Sequence, residues 1–191
     1  AASDVYKRQT MRYLDKRVER ICDELYRLRI VQRIPLTDLI CKKGTYIRPE
    51  AADAATPPWT SFDSRTMHWY GPDEHYWFRT EFTVPKALNG KAMWLNVRTQ
   101  IEGDDGKNPQ FLLFVNNVPV QGMDMNHRDV LLSPKAISGE KLVFDLQAYT
   151  GTIHNEFNLF MEIQEIDPEI EALYYDLKVP VEAFSRMEKE D

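Results

Sequence analysis

The chain has 191 residues and a mass of 22.4 kDa, room for one or two domains, and its 43% hydrophobic, 12% aromatic and 28% charged composition is that of a globular protein. The 24 Lys and Arg against 30 Asp and Glu leave a formal net charge of -6, the wrong sign for a protein whose task is to neutralise phosphates. Mean hydropathy is -0.49 and no apolar run approaches the roughly 18–20 residues of a membrane span, so neither nucleic acid nor membrane is an expected partner.

Residues 1–9 are set aside. Asp4-Val5-Tyr6-Lys7-Arg8-Gln9 resembles the reading-frame translation of a sequencing-library transposon adapter. On that reading the open reading frame is cut from a longer one; the alternative is a genuine polar tail. Residues 10–34 read as an amphipathic helix. Leu14, Val18, Ile21, Leu25 and Leu28 recur at spacings of four and three, which lines one face. Pro35 cannot continue the helix and pushes Ile34 out of the helical region. A helix of this length is marginal alone and needs a surface to pack on; its interspersed acids favour docking onto protein over a membrane surface.

Residues 35–58 read as a linker, because Ala51-Ala52-Asp53-Ala54-Ala55-Thr56-Pro57-Pro58 has little to bury. Residues 59–166 read as β-structure. Tyr76, Phe78, Thr80, Phe82 and Val84 share one face by period-two alternation. Met93, Leu95 and Val97 alternate against Trp94 and Asn96, with Asn89-Gly90 as the turn before them. Gly103–Pro109 is a loop. Phe111–Val115 is a continuous apolar run, suited to a strand buried on both faces. Asn116-Asn117 turns the chain into Val118-Pro119-Val120, and Lys141–Gln147 and Phe157–Ile166 alternate again. Short strands, regular turns and no intervening helices predict an antiparallel β-sandwich rather than a parallel sheet. Residues 167–191 read as a partly helical connector. Asp167 caps, Pro168 takes the first helical position and Glu169 favours the helix start. Ile170, Leu173, Tyr174 and Leu177 follow at helical spacing, and Val179-Pro180 interrupts them.

Chemistry is sparse. The histidines are His68, His75, His127 and His154, and none forms an H-E-x-x-H pair. His127-Arg128-Asp129 has an H-x-D spacing used by some metal hydrolases, but a metal needs a further convergent pair. The same tripeptide fails as a kinase catalytic loop, since Pro134 occupies the asparagine position. There is no nucleophile elbow, phosphate loop or dinucleotide fingerprint. Asp104-Asp105 and Asp73-Glu74 sit in turn-like sequence, where acids are normally solvated. No catalytic and no metal-ligating residue is assigned. Cys22 and Cys41, with no N-x-[ST] sequon in the chain, fit a reducing, cytoplasmic setting. The densest polar stretch follows Gly122. Asp124, Asn126, His127 and Arg128 are the candidate ligand-binding residues, a donor and acceptor array of the kind that reads sugar hydroxyls. The opposing reading is a loop whose Asp and Asn bond its own backbone.

Tyr76-Trp77-Phe78-Arg79-Thr80-Glu81-Phe82-Thr83-Val84-Pro85, then Leu113–Gly122, then Asp124, Asn126, His127 and Val130-Leu131-Leu132, with Ile166-Asp167-Pro168 at the end, resemble the N-terminal domain of glycoside hydrolase family 38 α-mannosidases of the cytosolic and bacterial type. The resemblance spans most of residues 11–191. It implies a β-sandwich of the galactose-binding, jelly-roll kind, and a parent enzyme that removes α-linked mannose from oligosaccharides with retention. In that family an aspartate nucleophile, an acid/base carboxylate and a divalent metal, expected to be zinc, belong to a downstream catalytic domain. None of those residues carries over onto a position of this chain, which therefore needs no cofactor of its own. The expected partners are the enzyme's catalytic domain, mannose-containing oligosaccharide and a second copy in a homo-oligomer. The chain alone is expected to be inactive. Two other functions stand beside this one: a free-standing carbohydrate-binding module, and a scaffold or oligomerisation domain without sugar contact.

Overall fold

The computed structural model describes residues 16–99 and 109–187, with side chains as far as 184. The adapter-like residues, Leu14 and the 103–108 part of the expected loop lie outside the described residues. The described residues fall into two compact units, one built from the chain up to Gln32 and from Ile166 onward, the other from Arg33–Glu165.

The larger unit is an antiparallel sandwich, as the alternation predicts. In chain order its strands are β1 (Ile30–Leu36, which begins in the other unit), β2 (Asp38–Lys43), β3 (Thr60–Asp63), β4 (Trp69–Gly71), β5 (His75–Thr83), β6 (Met93–Arg98), β7 (Gln110–Val115), β8 (Val118–Met123), β9 (Asp129–Ser133), β10 (Lys141–Tyr149), β11 (Asn155–Phe157) and β12 (Phe160–Ile166). They form a four-stranded sheet ordered β1-β12-β6-β9, a six-stranded sheet ordered β3-β2-β5-β10-β7-β8 and a small β11-β4 ribbon. Inward residues of both large sheets meet in one core. Met93, Leu95, Val97, Val130, Met161 and Ile163 come from the four-stranded sheet, and Phe78, Phe82, Phe111, Leu113, Phe144 and Leu146 from the six-stranded one. Trp69 sits among Tyr76, Phe78, Phe111 and Phe157, with ring centroids 4.7–5.7 Å away, and edge-to-face or tilted packing of this kind adds to area burial.

Phe111–Val115 is buried on both faces, as its apolar run predicts. Phe111 and Leu113 enter the main core, while Phe114 joins a second cluster with Trp77 and Ala52 on the opposite side of the sheet. Asn116 and Asn117 both have positive φ, 50° and 66°, the conformation of a type I′ hairpin turn that asparagine tolerates. Pro119 is accommodated because β8 is an edge strand.

Residues 35–58 are not a featureless linker. They supply the end of β1, all of β2, and a short helix α2 (Pro49–Ala54). Pro35 sits within β1, an edge strand, where its missing N–H is tolerated. Ala52, a small residue with little to bury by itself, is fully buried against Trp77 and Phe114: a helix approaching a sheet of aromatics needs a small side chain at its contact.

In the smaller unit, helix α1 covers residues 16–28 of the described chain and gives way to β1 well before residue 34. The expected docking stripe is only partly used, with Val18 and Leu25 half-buried. Ile21 and Leu28 are 48% and 57% exposed, while Cys22 and Arg29 are buried. Arg29 escapes the cost of a buried charge because its Nη1 lies 2.8 Å from Glu171 Oε1 and its guanidinium caps the Tyr26 ring at 4.3 Å. Helix α3 (Pro168–Met187) begins as predicted. Asp167 Oδ1 accepts from the amides of Glu169 and Ile170 at 2.9 and 3.1 Å. It does not break at Val179-Pro180 but continues through Pro180. Both residues are exposed, so the carbonyl that Pro180 leaves without a donor is free to turn to water. Among the described residues no helix is long and apolar enough to cross a membrane.

Candidate functional site

The Asp124–Arg128 segment connects β8 to β9 and is bonded largely to itself. Asp124 Oδ1 accepts from the backbone N–H groups of Asn126 and His127, both at 2.8 Å, and lies 2.9 Å from His127 Nδ1. Arg128 Nε donates to the Met125 carbonyl, and the Arg128 carbonyl accepts from the amide of Val97 at 3.0 Å. Desolvation alone would push the Asp124 carboxyl up, but the Asn126 amide and the His127 ring and amide outweigh it and hold it below its ordinary value. The four predicted residues are thus brought together, with Asp124 organising the turn. The His127 side chain is 70% exposed.

The loop runs straight into the outer face of the four-stranded sheet. With Met93, Leu95, Val97, Met161 and Ile163 turned to the core, Trp94, Asn96, Arg98, Phe160, Glu162 and Gln164 point the other way. Strand pairing sets these side chains in rows: Glu162 opposite Asn96 opposite Asp129, and Gln164 opposite Trp94 opposite Leu131. Asn96 Nδ2 donates to Asp129 Oδ1 at 2.7 Å and Arg98 Nε donates to Asn96 Oδ1 at 3.1 Å. Glu162 takes a 2.9 Å hydrogen bond from Arg33 and a 2.5 Å one from Gln164 Nε2, with Arg98 at 3.8 Å. Asn96, Glu162 and Gln164 are buried. Periodicity located these positions on the polar side of their strands but not their burial. The signal available was Trp94, a large aromatic at a position where alternation calls for a polar residue.

The opposite sheet carries a second polar cluster beneath α2. Arg79 on β5 donates to Asp145 Oδ1 at 2.6 Å and to both Asp53 oxygens at 2.7 and 3.2 Å. Its guanidinium stacks on Trp59 at 4.7 Å, and Trp59 Nε1 donates to Asp53 at 2.9 Å. Burial pushes the fully buried Asp145 carboxyl up, and Arg79 opposes this. Lys42 Nζ donates to the carbonyls of Ala52 and Ala55 at the end of α2, the helix terminus that favours a cation. This arrangement is a clamp: the sheet's charges hold the 49–59 segment down. Sequence reasoning missed it because its partners lie 26 and 66 residues from Arg79.

A divalent metal finds no matching donor set, since among the described residues no three His, Cys, Asp or Glu side chains converge. The acidic pair Asp104-Asp105 lies outside the described residues, and Asp73 and Glu74 are engaged with Tyr149 at 2.9 Å and Lys43 at 2.6 Å.

No protein-family profile and no curated protein matches the chain. Among solved structures it is similar to the β-glucuronidase of Ruminococcus gnavus. In complex with an N1-substituted uronic isofagomine, that protein gives a TM-score of 0.49 at 11% identity over 72% of this chain and 30% of the other. The apo structure gives 0.48 at 11% over 70% and 28%. The present chain therefore spans about three-tenths of the length of these structures.

Proposed function

We propose that this chain is a non-catalytic accessory β-sandwich of a glycoside hydrolase, of the α-mannosidase kind that its sequence resembles. It supports a separate catalytic domain that removes α-linked mannose from oligosaccharides in the cytoplasm, in keeping with two free thiols. The observation that carries the reading is the fate of the resembling stretches. Tyr76–Thr83 lies in β5, Leu113–Gly122 in the β7–turn–β8 hairpin, Asp124–His127 in the bonded turn and Val130–Leu132 in β9, and Asp167-Pro168 starts α3. The motifs of the sandwich occupy its elements in chain order and the last opens the helix that follows it, an order that supports a shared domain plan.

Scaffolding is the favoured role for the turn itself, because Asp124 spends its carboxylate on its own backbone. The test is the gene read past the codon for Asp191, expressed as one polypeptide. Release of nitrophenol from an aryl α-mannoside is the expected outcome. A frame that closes at once, or a full product acting on other glycosides only, overturns the α-mannosidase assignment.

A further inference from the structure

We propose that helices α1 and α3 together present one apolar face that packs on the same face of a second copy of this chain, forming a four-helix bundle. The placement follows from three contacts between the two helices. Arg29 meets Glu171 at 2.8 Å, the rings of Tyr26 and Tyr174 lie 5.4 Å apart, and the Cys22 thiol lies in the field of Lys178 and Glu182. Positions fall along α1 as they rise along α3, so the helices run antiparallel, with Cys22, Tyr26 and Arg29 along the seam against Lys178, Tyr174 and Glu171. The residues just before these seam positions are Ile21, Leu25 and Leu28 on α1 and Ile170, Leu173 and Leu177 on α3. One step back along an α-helix turns by about 100°. Because the two helices run in opposite directions, both steps turn to the same side of the pair. Two apolar stripes thereby become one face, which Val18 and Phe184 extend at a spacing of seven. Ile21, Leu28, Leu173 and Phe184 in this face are 42–57% exposed, and its other members are half-buried. A contiguous exposed apolar face of this kind marks an interaction surface.

The charges along its edges select the occupant. Beyond the apolar stripe on α1 stand Arg17, Arg20 and Arg27, all exposed, with Glu24 taken up by Arg27 at 3.7 Å. Beyond it on α3 stand Glu169 and Asp176, both exposed, with only Ala172, Pro180 and Ala183 between and after them. A two-fold axis parallel to the helices lays α1 of each copy on α3 of the other, so a basic edge meets an acidic edge twice. A two-fold axis across the helices lays α1 on α1, where like edges meet. The face is therefore complementary to itself in one arrangement, and there every helix runs antiparallel to both of its neighbours, the up-down order of a four-helix bundle. The face is two helices wide, about 10 Å apart, and about 20 Å long. Two copies then bury on the order of 1,000 Å² between them, enough for a weak, reversible contact and too little for an obligate one. The proposal does not depend on the accessory-domain reading.

Sedimentation equilibrium of the whole chain between about 10 µM and about 1 mM tests it. The mass should stay at the 22.4 kDa of one chain at the dilute end and rise toward twice that, with half-association at roughly 0.1 mM or above. Leu173→Gln, a change at an exposed position, should weaken association about tenfold or more with an unchanged circular dichroism spectrum. Arg20→Glu should weaken it about fivefold or more, since it puts like charges together at two symmetric places, and Asp176→Lys added to the same chain should restore it. A mass that remains that of one chain up to about 1 mM overturns the proposal; it is read on the unmodified chain, so a variant that fails to fold does not decide the matter. Association that Leu173→Gln leaves unchanged overturns the face, and association that Arg20→Glu leaves unchanged overturns the α1-on-α3 arrangement. A polypeptide continued past Asp191 that stays monomeric at the same concentrations overturns the second copy as the occupant, while its release of nitrophenol tests the parent enzyme separately.

Discussion

At the scale of single residues, the sandwich depends on a few charges kept out of water by named partners. Asp145 is fully buried and Arg79 is its charged partner on β5. Removing one member of such a pair strands the other, whereas removing both does not. Arg79→Leu should therefore cost about 3–5 kcal/mol in urea unfolding, and Arg79→Leu with Asp145→Leu should recover most of it. A single-variant cost below about 1 kcal/mol would mean that water reaches Asp145 and that the clamp is not closed. Asp124 makes the opposite kind of case, a carboxylate near the surface held down in pKa by local donors. A depressed carboxyl stabilises the fold above its unfolded value, about 3.9, and that stability is lost as pH falls through the lower folded value. Asp124→Asn should thus lower the thermal midpoint at neutral pH, and the gap from the parent protein should close on acidification below about pH 4. A gap that stays constant down to pH 2.5 would show that the turn is held by packing and not by the carboxylate's charge. The Arg79–Asp145 pair was not legible in the sequence, and the self-bonded Asp124 turn stood there as one of two open readings. The Asp124 cluster was visible as polar density, but whether its oxygens face a ligand or their own backbone depends on φ and ψ, which spacing does not encode.

At the scale of elements, alternation located β5, β6 and β10 within a residue or two, because each has one face against a core that tolerates no slip, and the apolar run located β7. What alternation could not supply was the use of the other face. Leu112 and Phe114 belong to the run that reads as buried on both faces, but Trp77 looks outward by period, and the three hold a second apolar cluster under α2. The helix pattern misled in a more instructive way. Leu14, Val18, Ile21, Leu25 and Leu28 form the most apolar stripe, but of its described members Val18 and Leu25 are only half-buried and Ile21 and Leu28 are exposed, while Cys22 and Arg29 are buried. Tyr26 meets Tyr174 of α3 at a ring distance of 5.4 Å, so an aromatic pair and a buried guanidinium set the rotation, and hydropathy ranks Arg29 last among residues to bury. Ile21→Ala should accordingly change stability by no more than about 0.5 kcal/mol. Tyr174→Ala, which removes a buried ring that also accepts from Lys178 at 2.6 Å, should cost about 3 kcal/mol. Thermal unfolding followed by circular dichroism checks both, and a reversed order would mean that the Ile21 stripe is the one that packs.

At the scale of the whole molecule, the question is whether this chain can do chemistry on a glycosidic bond by itself. Hydrolysis needs two carboxyl groups flanking one bond, about 5–5.5 Å apart for retention or about 6.5–9.5 Å for inversion, one of them free to give a proton. Several carboxylates of the sandwich are committed elsewhere. Asp145 and Asp53 hold Arg79, Glu162 holds Arg33 and Gln164, Glu165 meets Lys91, Asp63 meets Arg65, and Asp124 closes its own turn. Each is a group whose release for catalysis would undo a structural bond, and a raised pKa alone, as at Asp145, does not make a proton donor when no substrate can reach the oxygen. The purified chain should therefore release no nitrophenol from an aryl α-mannoside above a buffer blank, at any pH between 4 and 8. Release that disappears when one of the chain's own acids is replaced would overturn this, and the first to test are Asp104 and Asp105, which lie outside the described residues. If their replacement abolished activity while circular dichroism and thermal midpoint stayed at parent values, the acidic pair would be a catalytic element, and the accessory role proposed for the sandwich would give way to an enzymatic one.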